Sequence, residues 1–227
     1  FDFDFGYRGR MQFGVALRDP NVVDPGDAGN GVECDNDGTG TTATPFTRPV
    51  LSNFTFIGPN ADNTTSKNHN FANRFRRSSN FVLNNSVLIG WMKGGLSLES
   101  DGTYNSLTGT TATSEYRNNL LHANAATYRI GSVTVAGATD VAVRTRAEGS
   151  GTVTLAAAAD ARLTDPFNLA NPNLLPAAGS PALTGAAFAG DLTNAFFSAT
   201  THRGAFSTTN WMAGWTSFGF TRGANGY

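Results

Sequence analysis

One acidic stretch of the sequence has the residue types of a calcium loop. Glu33, Asp35 and Asp37 stand at alternating positions, and Gly38 follows them at a point where a sharp turn is needed. Carboxylate oxygens in this pattern are ligands that calcium prefers, so the three residues are candidate metal ligands and calcium is the one cofactor indicated. The glutamate that closes a complete calcium loop is missing, so an acidic turn that bonds its own backbone stays open as the alternative.

Arginines flank an aromatic residue further along the chain. Arg74, Arg76 and Arg77 surround Phe75, and guanidinium groups in such a cluster can bind an acidic sugar or a phosphate. Strand alternation would place Arg74 and Arg76 on an outer face with Phe75 inward. The cluster is therefore a candidate binding site, with a solvated or salt-bridged strand surface as the alternative.

Two tryptophans near the C-terminus are candidates for an interface. Trp211 and Trp215 belong to an aromatic-rich stretch, and exposed aromatic rings bind glycans or neighbouring subunits. The same rings could instead cover the end of a stacked structure. Both interpretations stay open at this point.

Catalytic patterns are weak in this sequence. Cleavage of a polysaccharide needs paired carboxylates facing one groove, whereas the aspartates considered for this role are dispersed along the chain. The histidines are isolated, and neither a zinc-type pair nor a nucleophile turn of the Gly-x-Ser-x-Gly type occurs. The sequence therefore predicts a non-catalytic protein. The residues considered are Asp62, Asp101, Asp140, Asp160, Asp165, Asp191, His69, His122 and His202.

The element that organises the chain is the stretch from Asn80 to Trp91. Its apolar residues form two short blocks, 81–83 and 87–89, separated by a polar Asn-Asn-Ser corner. Such blocks are too short and too rich in β-branched residues for a helix, and they predict two strands joined by a tight corner. Similar blocks begin near Asn53 and Asn118, which gives a repeat of about thirty residues, in the range of solenoid proteins.

The asparagines at these corners have a physical role in a stacked structure. Identical asparagines in successive coils would lie above one another and form a ladder of amide hydrogen bonds. Asparagine also tolerates positive φ and is a common turn residue, so the corners have a second explanation. A β-sandwich is the alternative fold, because its strands are also short and separated by glycines.

Composition and charge support an all-β fold. The chain has 227 residues, among them 26 glycines and 9 prolines, with a formal net charge of -1. This charge gives no electrostatic basis for binding nucleic acid, and no apolar run is long enough for a membrane span. A single cysteine, Cys34, excludes an intrachain disulfide.

The repeat predicts a right-handed parallel β-helix, a solenoid with an irregular, aromatic-rich C-terminal cap. Residues 1–130 are expected to form β-helical coils with long loops at 21–49 and 59–73. Residues 131–227 are expected to form the last coils and the cap, in the same domain. A cap is required because an open end would expose apolar side chains and unpaired strand edges.

Several segments together resemble a family of right-handed parallel β-helices that are secreted or surface-attached in Bacteroidetes-type bacteria. The resemblance covers nearly the whole chain and implies architecture without catalytic residues; it also implies that further coils precede Phe1. Cys34 departs from the polar or aromatic residue expected there. The segments are the Phe-Asp-Phe-Asp-Phe start with Gln12-Phe13, the turn at 33–38, the strand at 49–58, and the stretches 177–183, 203–206 and 211–215.

The function predicted from the sequence is a structural or binding element at the outer cell surface. The expected partners are other copies of the chain, other cell-surface proteins or a glycan, with no nucleic acid and no membrane span. A polysaccharide-binding or polysaccharide-cleaving β-helix is the alternative.

Overall fold

The fold is an all-β parallel β-helix whose coils contribute strands to three sheets. The structure is a computed structural model, and it describes residues 1–22, 29–62 and 68–218. Sheet A contains β1 (Asp2–Phe3), β4 (Val32–Cys34), β7 (Phe71–Arg76), β10 (Gly94–Glu99) and β13 (Ala126–Gly131). Sheet B contains β2 (Arg10–Gln12), β5 (Val50–Ser52), β8 (Val82–Asn84) and β11 (Glu115–Arg117). Sheet C contains β3 (Val15–Leu17), β6 (Thr55–Ile57), β9 (Val87–Trp91), β12 (Leu120–Ala123) and β14 (Val153–Thr154).

All pairings within these three sheets are parallel, and each strand lies beside its counterpart in the next coil. The stretch predicted to organise the chain is confirmed as two strands of the third coil, β8 and β9, joined by the corner Asn85-Ser86. Both predicted long loops also contain strand residues. The part of 21–49 that the structure describes includes β4, and the part of 59–73 that it describes includes the start of β7. Polar residues flank both strands, so the sequence there lacks the apolar pattern that predicts a strand.

Among the residues that the structure describes, two α-helices interrupt the coils. α1 (Asp101–Thr108) follows β10, and the Ser100 side chain accepts a hydrogen bond from the Thr103 backbone to cap its start. α2 (Asp140–Glu148) takes the place of the sheet B strand in the fifth coil. Val143 and Ala147 of α2 are fully buried in the inner core, so α2 covers that end of the stack.

The core inside the coils is built largely from aromatic and aliphatic side chains in register. The rings of Phe75 and Phe81 lie parallel with their centroids 3.6 Å apart, and both are fully buried. Phe54 lies directly against the Gly14 backbone, where a Cβ atom would be only 2.0 Å from the ring. Only glycine fits beside the core at that position.

The corner between sheets B and C repeats a left-handed backbone conformation from coil to coil. Asn53, Asn85 and Asn118 have φ of 57°, 56° and 55°, and Phe13 and Gly151 occupy the same place in the first and fifth coils with φ of 63° and 84°. Asparagine suits this position because it adopts the left-handed region at low cost. The second explanation of the repeated asparagines therefore applies to these three.

The buried ladder at this corner is formed by the next residue in each coil. The backbone N–H of Phe54 donates to Ser86 Oγ over 3.0 Å, and the backbone N–H of Ser86 donates to Asn119 Oδ1 over 2.8 Å. Asn119 in turn donates its backbone N–H to Thr152 Oγ1 over 3.3 Å. The predicted ladder of identical amides is thus wrong in detail, because the bonds run from the backbone to side chains of mixed type.

Residues 155–218, here called the C-terminal segment, cover the outer faces of sheets B and C. This segment contains the antiparallel pair β15 (Leu163–Asp165) and β16 (Asn173–Pro176) and short 3₁₀ turns at Ala158–Ala161, Pro181–Leu183 and Gly190–Thr193. Leu174, Phe206 and Met212 pack on Ile57 and Ile89 of sheet C. On sheet B, Leu192 and Phe197 pack on Val50 and Val82. The segment is irregular and aromatic-rich, as predicted, but it lies along the sides of the stack, while α2 covers the end.

Candidate functional site

The outer face of sheet A is the candidate functional site, and it carries charged side chains in register across the coils. The apolar contacts of the C-terminal segment are with sheets B and C, so in the described part of the chain sheet A is the face that this segment leaves open. Strand pairing sets Asp2 beside Glu33 and Glu33 beside Arg74. We call this surface the charged face. Its members are Asp2, Asp4, Glu33, Asp35, Arg74, Arg76, Arg77, Lys93, Glu99 and Arg129.

The centre of the charged face is a network of ion pairs. Arg74 binds Glu99 with two bonds of 2.9 Å, from Nε to Oε1 and from Nη2 to Oε2. Arg76 donates from Nε to Asp35 Oδ1 over 2.7 Å and from Nη2 to Glu33 Oε1. Two-pronged pairs of this kind fix the orientation of both partners. Arg74 and Arg76 point outward while Phe75 between them is buried, which is the arrangement that strand alternation predicts.

Asp35 is the most enclosed carboxylate of the network. Its side chain is 5% exposed, and it accepts a second charged hydrogen bond from Arg77 Nη1 over 2.6 Å. Glu33 accepts from the Asn30 amide over 2.6 Å. Burial nevertheless raises the pKa of Glu33, against the opposing effects of Arg76 and Asn30.

The predicted calcium ligands are divided between this network and a separate turn. Glu33 and Asp35 bind arginines, whereas Asp37 Oδ1 accepts from the backbone N–H groups of Thr39, Gly40 and Thr41 over 2.7–3.1 Å. The Thr41 hydroxyl, which bonds Oδ2, is the main reason that the pKa of Asp37 is lowered. In residues 1–22, 29–62 and 68–218, no group of three or more histidine, cysteine, aspartate or glutamate side chains is arranged to hold a metal ion. Calcium binding by this stretch is predicted from the sequence and is untested, and the protein partners of these carboxylates favour the alternative of an acidic turn for Asp37.

The two ends of the charged face carry exposed groups of opposite sign. Asp2 and Asp4, in the first coil, are exposed, and so are Lys93 and Arg129 near the fourth and fifth coils. Strands in neighbouring coils are about 4.8 Å apart, so five coils span roughly 19 Å. The face is therefore acidic at one end and basic at the other.

Three cations at the basic end surround one aromatic ring. The charged groups of Arg74, Lys93 and Arg129 lie 5.8, 5.7 and 5.5 Å from the centroid of the Phe71 ring. Cation–π contacts at this distance hold the charges together above the sheet. Lys93 Nζ also donates to Asn70 Oδ1 over 3.0 Å.

The Asp4 carboxyl, at the acidic end, has a raised pKa. Burial is the largest cause of its raised pKa, and the nearby negative charges of Asp2 and Asp35 add to the effect. A raised pKa is one property that a general acid needs, and the neighbouring carboxylate, Asp35, is held by two arginines.

The sequence indicated Arg74 and Arg76 as a candidate site, but the register that joins them to the acidic end of this face was not recognised. A signal was present, because Asp2 precedes Glu33 by 31 residues and Asp4 precedes Asp35 by the same interval, which is close to the coil repeat. The carboxylates considered dispersed lie outside this pattern. Glu99 and Arg129 had no such signal, since their neighbours in register are of different residue types.

The tryptophans predicted as an interface lie elsewhere, at the first coil. Trp211 stacks on Phe206 with centroids 5.2 Å apart and is 37% exposed. Trp215 stacks on Trp211 at 5.9 Å and is 69% exposed. They are therefore separate from the charged face, with Trp211 partly packed and Trp215 largely open to solvent.

Parallel coils, three sheets and a charged outer face define the protein as a parallel β-helix of the solenoid class. A match to the family described as pectate-lyase-like beta helix domain covers residues 1–216, so the chain belongs to that family. Comparison with curated proteins and with solved structures found no match. Within the described residues, no helix is both long and apolar enough to cross a membrane.

Proposed function

We propose that the protein binds an acidic polysaccharide along the charged face of sheet A, outside the cell. The observation that supports this most directly is the cluster of Arg74, Lys93 and Arg129 around Phe71 on the sheet that the C-terminal segment leaves open. Sugar carboxylates are ligands for such cations, and the parallel strands present them on a rigid surface. The family description, pectate-lyase-like, favours the same class of ligand.

This proposal replaces the structural role predicted from the sequence as the first hypothesis. The ion pairs at the centre of the face hold the side chains in place before any ligand arrives, which reduces the entropy lost on binding. The exposed cations at the basic end then provide the attraction, and their effect should weaken as salt concentration rises.

The test is a binding measurement with polygalacturonate and alginate as acidic probes and xylan as a neutral one. We expect the intact protein to be retarded in gels that contain an acidic polymer. Arg129→Ala should weaken this retention about fivefold or more, on the scale of one partly desolvated charge contact. Arg144→Ala is the matched control, because Arg144 is also an exposed arginine but lies on α2, paired with Glu148.

The proposal fails if neither acidic polymer binds, or if Arg129→Ala and Arg144→Ala change binding equally. Equal effects would show that retention follows the net charge of the protein. Binding of xylan with the same affinity would also contradict a role for the cation cluster.

Cleavage of the bound polysaccharide is a second candidate, which the raised pKa of Asp4 favours. Asp4 would protonate the oxygen of the leaving sugar as the glycosidic bond breaks, and a water molecule would form the new bond to the anomeric carbon and lose its proton to a carboxylate such as Asp2. Asp4→Asn should then abolish the release of shorter products while leaving binding intact. Product release that is unchanged by this substitution would remove Asp4 from the mechanism.

A further inference from the structure

A groove lined by aromatic residues lies at the first coil, where the C-terminal segment crosses the corner between sheets B and C. It consists of two adjoining cavities of about 310 and 590 Å³ that share Phe13 and Trp211 as walls. These volumes lie in the range of pockets that hold small ligands. We call this feature the aromatic groove, and it is distinct from the charged face.

The aromatic rings of the groove are held in fixed orientations. Trp211 Nε1 donates to the backbone carbonyl of Ala205 over 2.7 Å, and Trp215 Nε1 donates to that of Trp211 over 2.5 Å. Both indole N–H groups are thus bonded within the protein, and the rings of Phe206, Trp211 and Trp215 form one stack. The stack ends in Trp215, which is 69% exposed and lies in the wall of the larger cavity.

The polar groups of the groove are neutral. His202, Ser207 and Thr209 line the smaller cavity, and Thr216 and Ser217 line the larger one. The His202 ring lies nearly parallel to that of Phe13, with the centroids 6.3 Å apart, and burial lowers its pKa. Among the described lining residues, His202 is the one ionisable side chain.

We propose that the aromatic groove binds a neutral oligosaccharide of two or more sugar rings. A sugar ring has an apolar face of C–H groups, which suits an ordered indole, and a rim of hydroxyls, which suits neutral donors and acceptors. The C–H face would lie on Trp215 and the edge of Trp211. The hydroxyls would bond His202, Ser207 and Thr209, and a charged ligand would find no counter-charge there.

Intrinsic fluorescence tests this proposal because two of the three tryptophans lie at the groove. The third, Trp91, is fully buried in the core. Neutral hexasaccharides of β-linked glucose, xylose and mannose serve as probes, each titrated to millimolar concentration. We expect one of them to change the emission in a saturable way, and Trp215→Ala to weaken its binding about tenfold or more.

Two further variants, Trp215→Phe and His202→Ala, test the aromatic surface and the polar contact of the groove separately. Trp215→Phe keeps an aromatic surface and should bind within a few-fold of the unchanged protein, whereas His202→Ala should weaken binding without changing the thermal midpoint. Arg129→Ala on the charged face should leave this binding unaltered. The proposal for the aromatic groove and the proposal for the charged face can therefore fail independently of each other.

Two results would overturn the proposal. The first is the lack of a saturable response to all three probes in a protein whose Trp215→Ala and Trp215→Phe variants remain folded by circular dichroism. The second is a concentration-dependent dimer, seen by sedimentation, that Trp215→Ala abolishes while sugar binding is unaffected. The groove would then be a contact between two copies of the chain.

Discussion

Asn85 joins the stack to the C-terminal segment, and its replacement should separate two contributions to stability. Its side chain is fully buried at the corner of the third coil. Nδ2 donates to the Ala187 carbonyl over 3.0 Å, and Oδ1 accepts from the Ala187 N–H over 3.0 Å. Nδ2 also donates to Ser52 Oγ over 3.2 Å. The Asn85 backbone is left-handed, with φ of 56°. Asn85→Ala removes all three side-chain hydrogen bonds and places a residue with a Cβ but no compensating amide in a strained conformation.

The expected loss is the sum of these two contributions. The left-handed conformation costs an ordinary residue about 1–2 kcal/mol. Each lost hydrogen bond removes about 0.5–1.5 kcal/mol, because the exposed Ala187 backbone can bind water instead. With three side-chain hydrogen bonds lost, we therefore expect Asn85→Ala to lower the free energy of unfolding by about 2.5–6.5 kcal/mol.

Asn118 provides the matched control. It occupies the same corner one coil further on, with φ of 55°, and in the described part of the chain it forms a backbone hydrogen bond to Ser150 but none with its side chain. Asn118→Ala should therefore cost only the conformational part, about 1–2 kcal/mol. Asn85→Gly, which keeps the conformation accessible, should lose mainly the hydrogen bonds.

The assay is urea unfolding followed by circular dichroism, with limited proteolysis of the native state. The Asn85 variants should expose sites in the C-terminal segment to protease before the coils unfold, and the Asn118 variants should not. If Asn85→Ala and Asn118→Ala lower the free energy of unfolding equally and leave equal resistance to protease, the Asn85 side chain does not hold the C-terminal segment. Asn85 would then contribute to stability only through its backbone conformation.

Three further predictions concern the core, acid and calcium. Phe75→Ala should lower the free energy of unfolding by about 3–5 kcal/mol, since it removes a stacked, fully buried ring. Phe5, whose side chain is 77% exposed, is the control, and Phe5→Ala should change this free energy by less than about 0.5 kcal/mol. The midpoints of urea unfolding distinguish the two variants. Burial lowers the pKa of all three histidines below the ordinary 6.5. Because the unfolded chain then binds more protons than the folded one, the stability of the fold should fall as the pH drops below 6.5. A thermal midpoint that rises between pH 7 and pH 5.5 would contradict this prediction. Because the carboxylates between Glu33 and Asp37 have protein partners, calcium or a chelator should leave the thermal midpoint unchanged, and a rise with calcium would make them metal ligands. The histidines are His69, His122 and His202.

The fold could be predicted because equivalent positions in successive coils need similar residue types, which gives the sequence a repeat of about thirty residues. Short apolar blocks alternate with asparagine corners, since each coil needs a left-handed residue between sheets B and C. Coils that break the pattern were harder to recognise. In the first coil Phe13 takes the asparagine position, and in the fifth Gly151 does, so neither end of the stack could be located from asparagine spacing.

The site was only half predictable because its residues are related by register rather than by sequence proximity. Arg74 and Arg76 stand out within a few positions, but their partners Glu33 and Asp35 lie about forty residues earlier and Glu99 lies later. The loop between β4 and β5 is longer than the other connection within that coil, so the register could not be counted from a fixed repeat. The exposure of sheet A also depends on where residues 155–218 run, which is set by contacts across more than a hundred positions.

The C-terminal segment explains why the charges are concentrated on one sheet. Outer positions of sheets B and C are apolar where the segment packs, as at Val82 and Ile89, and a charge there would be buried without water. Sheet A has no such constraint, so its outer positions can hold Arg74, Arg76 and Glu99 in paired form. Covering two faces of the solenoid therefore leaves the third as the surface on which we propose that a ligand binds, and the corner asparagine Asn85 helps to hold the cover in place.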